Sequence, residues 1–370
     1  SAPFRGITLL GGPNIQTISL SLDGFQYLLK KPNIVSWSQL TSLCLWDRTL
    51  RGTRANGMHS RDSAAIVTTV TIPELLALCP SLGTLDIGRS EFDITHSVGD
   101  VMELMDQLDL QIDVPIPDNL IASNWSLSHS SLRTLIVRDV TIGKGLMERV
   151  ELPSLTTLVN TIPPANRLGT ALNAELSGLM QWIRAYGSTL TTLTFDTSLL
   201  TQSAFMALLE SIPMVTELKI NDSCSSSLFS VGILPERAPA RMLQEVVSRL
   251  MPEFGEDGQL VHGGGCVLPL LEEFICRSHT SSALDDQALV RLVVARRKGE
   301  AAGIGRLRHL DIELPFTGRP KRNIRADIEN AGVDISELFL KYNYNRQSEV
   351  EVMQLLRAQG VPSLAEMIGP

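Results

Sequence analysis

Apolar positions recur along the chain in the pattern L-x-x-L-x-L, with conservative swaps. Copies read Ile15-Ile18-Leu20, Leu40-Leu43-Leu45, Leu82-Leu85-Ile87, Leu132-Leu135-Val137 and Leu190-Leu193-Phe195. Further copies are Val215-Leu218-Ile220, Leu271-Phe274-Cys276, Leu307-Leu310-Ile312 and Ile335-Leu338-Leu340. Leu155-Leu158-Asn160 is a tenth, polar at its last position. The last two apolar positions are two apart, so on a strand they share one face, and the residues between them face the other way. Proline stands two residues before the first apolar position in five copies: Pro13, Pro80, Pro153, Pro213 and Pro269. It disfavours helix at the residue before it and so ends each preceding segment ahead of the strand.

Between the strand motifs the period changes to that of a helix. Phe205, Leu208, Leu209 and Ile212 follow i, i+3, i+4, i+7, with Thr201 as a cap. Val98 to Met105, Leu172 to Ile183 and Met242 to Leu250 read the same way, and Gly187 is placed as a C-cap. Leu284 to Arg297 carries Asp285 and Asp286 at its start and Arg296-Arg297-Lys298 at its end, as the helix dipole prefers. Ser348 to Ala358 is the last helix, stopped at Gly360. Alternating strand and helix implies a parallel sheet with helices packed outside. The repeated strand motif selects one α/β domain over residues 1–370: an irregular leucine-rich-repeat solenoid of about ten units. Its horseshoe would carry a parallel β-sheet on the concave face and helices on the convex face. Steps between copies are uneven: 42 residues from Leu40 to Leu82, 23 from Leu132 to Leu155 and 56 from Val215 to Leu271. Insertions are expected in 47–66, 111–127, 222–240 and 252–268. Met105-Leu108-Leu110 also fits a strand copy, in conflict with the helix there.

Composition adds exclusions. A chain of 370 residues that is 44% hydrophobic can bury a sizeable core. No apolar run approaches the roughly 18 residues of a membrane span. A net charge of −8 argues against a nucleic-acid partner, since phosphate neutralisation needs clustered Lys and Arg. Arg296 to Lys298 reads as a solvated helix end and Arg319 to Arg325 as a solvated loop. Five cysteines (Cys44, Cys79, Cys224, Cys266 and Cys276) lack a CxxC or a Cys/His spacing, which fits reduced apolar core residues of an intracellular chain. The sequons at Asn124 and Asn221 are short enough to arise by chance.

The search for chemistry finds no catalytic constellation. Gly263-Gly264-Gly265-Cys266 lacks the Lys and Ser/Thr of a phosphate loop and reads as a flexible loop. The six histidines are scattered, and each reads as a surface or hydrogen-bonded residue. Asp285-Asp286 opens a helix, where acids are expected without a metal. No cofactor and no enzyme activity is expected. What remains is a binding surface formed by the residues between the buried leucines. Its candidates are Arg133, Thr157, Thr192, Thr194, Glu217, Lys219, Glu272, Glu273, Arg308, His309 and Asp311. The first half of the ladder is mostly hydroxyl-bearing or neutral and the second carries both signs of charge. A protein or peptide partner on the concave face fits such a surface.

Cys79-Pro80-Ser81-Leu82-Gly83-Thr84-Leu85-Asp86-Ile87 and Ile212-Pro213-Met214-Val215-Thr216-Glu217-Leu218 resemble the divergent repeats of fungal F-box proteins. So do Trp37 to Leu43 and the segment from Leu289 to Ile312, and the resemblance spans 37–340. It implies the substrate-recognition part of an adaptor for a cullin-type ubiquitin ligase, without catalysis of its own. No Leu-Pro-x-Glu start of an F-box occurs in the chain. Its beginning at Ser1, close to a repeat, is read as that of a fragment without the module. A ligase adaptor is therefore a partner only if an F-box lies upstream. The alternative is an intracellular leucine-rich-repeat scaffold or regulator unrelated to ubiquitin.

Overall fold

A computed structural model describes residues 15–29, 35–47, 75–89, 127–138, 150–161, 183–196, 202–222, 239–256, 261, 266–278, 284–315 and 323–345. Twelve strands lie in them: β1 (Thr17–Ser21), β2 (Ser42–Asp47), β3 (Thr84–Arg89), β4 (Leu127–Ser128), β5 (Thr134–Arg138), β6 (Val150–Glu151), β7 (Thr157–Thr161), β8 (Thr192–Asp196), β9 (Glu217–Asp222), β10 (Glu273–Ser278), β11 (His309–Pro315) and β12 (Phe339–Asn345). The helices of the described residues include α1 (Leu22–Leu29), α2 (Gln202–Glu210), α3 (Pro239–Arg249), α4 (Asp286–Gly299) and α5 (Ile324–Asn330). The fold is α/β. Ten strands form one parallel sheet in the order β1-β2-β3-β5-β7-β8-β9-β10-β11-β12, so each repeat pairs with the next in the chain. A second parallel pair, β4 with β6, precedes β5 and β7.

The register aligns the motif column by column. Leu43, Leu85, Leu135, Leu158, Leu193, Leu218, Phe274 and Leu310 are successive partners, and all are buried. Leu45, Ile87, Val137, Asn160, Phe195, Ile220, Cys276 and Ile312 form the second core column. Burying both columns on one face is what fixes this register, because a slip of one residue would turn every leucine to solvent. Asn160 is the polar member, and its Oδ1 is buried without a hydrogen bond.

Each strand begins with a repeated backbone bond. Thr41 N–H and Ser42 N–H both donate to the Gln16 carbonyl, at 2.9 and 3.0 Å. The same fork joins Gly83 and Thr84 to Thr41, Arg133 and Thr134 to Gly83, Thr156 and Thr157 to Arg133, and onward to Arg308 and His309 on Glu272. The Thr41, Thr156, Thr191 and Thr216 hydroxyls donate to the same carbonyls, at 3.2, 3.2, 3.3 and 3.2 Å. Leu-Thr at the head of a repeat is thus explained by backbone satisfaction. One step earlier, Leu82, Leu155, Val215 and Leu271 donate N–H to the carbonyls of Cys79, Leu152, Ile212 and Leu268. Leu132 breaks the rule. Its N–H donates to His129 Nδ1 at 3.2 Å, while His129 Nε2 meets the Cys79 carbonyl at 2.9 Å. The buried imidazole therefore replaces a backbone acceptor and ties two repeats together.

Several sequence expectations change. The last copy runs Leu338-Leu340-Tyr342, not Ile335-Leu338-Leu340, because Leu340 and Tyr342 pair with Leu310 and Ile312. Ile335 instead accepts from Leu338 N–H, as Cys79 and Leu152 do in their repeats. Gly187 does not take a left-handed C-cap; a Cβ there would lie 1.9 Å from the Ser211 carbonyl oxygen, so close approach requires glycine. Helix α5 starts inside the basic stretch read as a loop, capped by Asn323 Oδ1 accepting from Ala326 N–H at 3.2 Å. Helix α4 matches its expected place. Asp285 is its N-cap, accepting from Gln287 N–H at 3.0 Å, and Asp286 accepts the Tyr342 hydroxyl at 2.6 Å. Arg296 is fully buried rather than solvated. The expected helices at 98–105 and 348–358, most of the 172–183 helix, most of the insertion stretches, Cys224 and the triple glycine lie outside the described residues.

Candidate interaction surface

The outward positions of the ten strands make one polar face. Its first row runs Thr17, Ser42, Thr84, Thr134, Thr157, Thr192, Glu217, Glu273, His309 and Phe339. Its second row runs Ser19, Cys44, Asp86, Ile136, Val159, Thr194, Lys219, Ile275, Asp311 and Lys341. All eleven residues singled out in the sequence fall on this face or at its margin. Thr157, Thr192, Glu217, Glu273 and His309 stand in the first row, and Thr194, Lys219 and Asp311 in the second. Arg133, Glu272 and Arg308 lie one residue ahead of β5, β10 and β11.

Two of them do not project freely. Thr194 is buried between Val159 and Lys219, its neighbours in the row, and Asp311 beside Lys341. The second row also holds partly buried apolar residues, Ile136, Val159 and Ile275, which break the polar ladder. Phe339 and Lys341 join the candidates; no outward residue of the last copy is among those singled out in the sequence, although Phe339 lies between Leu338 and Leu340 in the expected frame as well. With the observed register both point outward, and Phe339 is 56% exposed.

The change in character falls between β8 and β9. Up to β8 the first row is hydroxyl-bearing throughout. From β9 onward acids and bases pair across and along strands. Glu217 pairs with Lys219 and accepts the Thr192 hydroxyl at 3.3 Å. Arg308 meets Glu272 at 3.5 Å, and Lys341 donates to Asp311 Oδ2 at 3.1 Å. His309 Nδ1 lies 3.7 Å from Glu273 Oε2, and its ring sits edge-on to Phe339 with centroids 4.7 Å apart. In the neutral half Asp86 meets Arg138 at 3.4 Å. Burial pushes the Asp86 carboxyl above its ordinary range, opposed by the Arg138 charge. Exposed pairs of this kind add little to stability, so their consequence is to organise charge on the face.

Behind the sheet the titratable groups serve the fold. Burial pushes the Cys79 thiol up to about 12. A thiolate is the nucleophile in alkylation, so Cys79 is expected to stay unmodified by maleimide at pH 8 in the native protein and to react after denaturation. Site-resolved mass spectrometry checks this; rapid native modification of Cys79 would show that its repeat opens readily. Among the described residues no group of three His, Cys, Asp or Glu is placed to hold a metal, and no helix is long and apolar enough to cross a membrane. An open hollow of about 540 Å³ lies at the α5 turn, lined by Arg325, Glu329, Val333, Asp334 and Ile335. Comparison with family models, with curated proteins and with solved structures finds no match.

Proposed function

We propose that this chain is a protein-recognition domain of the leucine-rich-repeat type, whose polar sheet face is the concave face of a horseshoe and holds a protein or peptide partner. The observation that carries the reading is the register. It turns the leucine columns inward and gathers charged residues of β9 to β12 on one face of the sheet, where a partner can bridge several repeats. The resemblance of the repeat phrases to fungal F-box proteins supports an intracellular substrate-recognition role beside a cullin-type ubiquitin ligase. The domain would do no chemistry; transfer of ubiquitin would belong to its partners. The alternative is an intracellular scaffold that uses the same face without a ligase.

Affinity capture with the full-length protein tests both. The adaptor reading expects ligase subunits together with a substrate whose recovery falls in a Glu217→Ala/Lys219→Ala variant. Capture of a face-dependent partner without ligase subunits, from a gene with no F-box upstream of Ser1, would select the scaffold. Partners that bind equally to the variant would place binding elsewhere.

A further inference from the structure

The last three strands carry a row that the rest of the face does not. Glu273, His309 and Phe339 are direct register partners on β10, β11 and β12. Strands lie about 4.8 Å apart, so carboxylate, imidazole and phenyl ring follow one another over about 10 Å. Charge around the row does not balance. The acids are Glu217, Glu272, Glu273, Asp311 and Glu313; the bases are Lys219, Arg277, Arg308 and Lys341, and Lys219 pairs with Glu217, the register partner of Glu273. Arg308 meets Glu272, Lys341 meets Asp311, and Arg277 neighbours Glu313 in register. Glu273 is left with the imidazole alone, and its side chain is 43% exposed.

The corner is also not closed on itself. His309 Nε2 and Asp311 Oδ1 are buried and make no hydrogen bond. Phe339 lies against the first residue and Lys341 against the second. Asp311 Oδ1 is a carboxylate oxygen, and so an acceptor. A guest that shifts Lys341 meets a carboxylate oxygen with no hydrogen bond of its own. An exposed aromatic ring and a carboxylate without a basic partner, at the two ends of one row, both attract a cation.

We infer that the row Glu273-His309-Phe339 seats a basic side chain of the protein partner, arginine in preference to lysine. A guanidinium is planar, stacks on rings and offers several donors at once, whereas an ammonium is a more strongly hydrated point charge. Arginine also has the length to lie across the imidazole, with its head at Glu273 and its stem against Phe339. This assignment rests on the reading of the sheet face as the binding face and names the chemistry of its partner.

A random heptapeptide library displayed on phage, selected on the wild-type domain, supplies the test. Arginine should be enriched at one fixed position of the retained peptides. Replacing it by citrulline, which keeps the shape and removes the charge, should weaken a retained peptide by about tenfold, the ratio for one lost charge-assisted contact. Glu273→Gln and Phe339→Ala should abolish the enrichment while leaving thermal unfolding unchanged, since both side chains are well exposed. Retained peptides with no basic preference, which depend on Lys219 instead, would overturn this inference and keep the binding face. Arginine enrichment that persists in both variants would overturn it as well. No peptide retained above a bare surface would overturn the inference and the peptide-binding reading together.

Discussion

Replacing Arg296 by alanine is expected to destabilise the protein by about 4 kcal/mol, more than any other single charged substitution. This residue is fully buried, near the end of α4. Its Nη1 donates to the Leu250 carbonyl at 3.0 Å, just beyond α3. Its Nη2 lies 3.1, 3.0 and 3.0 Å from the carbonyls of Leu268, Pro269 and Leu271, which form the turn into β10. One guanidinium thus satisfies the end of one helix and the start of the next strand. Leu268 carries φ +56°, a left-handed conformation that a leucine rarely adopts. The Arg296 bond to its carbonyl helps hold that turn. Burial draws the Arg296 pKa down from its ordinary value, partly offset by Cys266, whose Sγ lies 3.8 Å from Nη1. Alanine would leave four carbonyls facing a cavity. Lysine should rescue only part of the loss, because one ammonium cannot reproduce the planar fork. Chemical denaturation of the wild type, Arg296→Ala and Arg296→Lys measures both effects. A loss below about 1 kcal/mol for alanine would mean that water replaces the guanidinium at all four carbonyls.

Arg296 also marks where sequence reading stops. Arg296-Arg297-Lys298 at a helix end satisfies the dipole in any helix, and nothing local distinguishes the one side chain that turns inward. The leucine columns were legible because burial imposes a period of two on each strand. The last copy was misread for a related reason. The residue three before each first leucine is itself buried, as Cys79, Leu152, Ile212 and Leu268 are, so two apolar frames compete. Proline settles the frame in those four repeats. The last repeat has Ser336 at that place, and it shortens L-x-x-L-x-L to Leu338-Leu340-Tyr342. The misplacement is by two residues and keeps the face, so Phe339 points outward in either frame, while Lys341 lies beyond the last apolar position of the expected copy. Helix α5 was missed because only Ile324 and Ile328 mark its buried side. Of the candidate face, the residues were legible and the pairings were not, since Glu272 and Arg308 lie 36 positions apart in the chain and meet only through the parallel register.

Leu218→Ala is expected to cost about 2–5 kcal/mol through the cavity it leaves, and Leu193→Ala a similar amount. Both side chains are fully buried in the first core column, flanked by Leu158 and Phe274 on the neighbouring strands. Thr192→Ala removes the hydroxyl that donates to Glu217 Oε2 at 3.3 Å on the opposite face of the sheet. That bond sits in a partly exposed setting, and its loss should stay within about 0.5 kcal/mol. The contrast between positions 192 and 193 tests the strand register, since adjacent strand residues occupy opposite faces. In a stacked array each repeat is stabilised by its neighbours, so Leu218→Ala should loosen β8, β9 and β10 together. Amide exchange should then accelerate from Thr192 to Ser278 and fall off toward β2. Exchange that accelerates at β9 alone would show that the repeats fold as independent units. Equal thermal losses for Thr192→Ala and Leu193→Ala would show that the two residues do not lie on opposite faces.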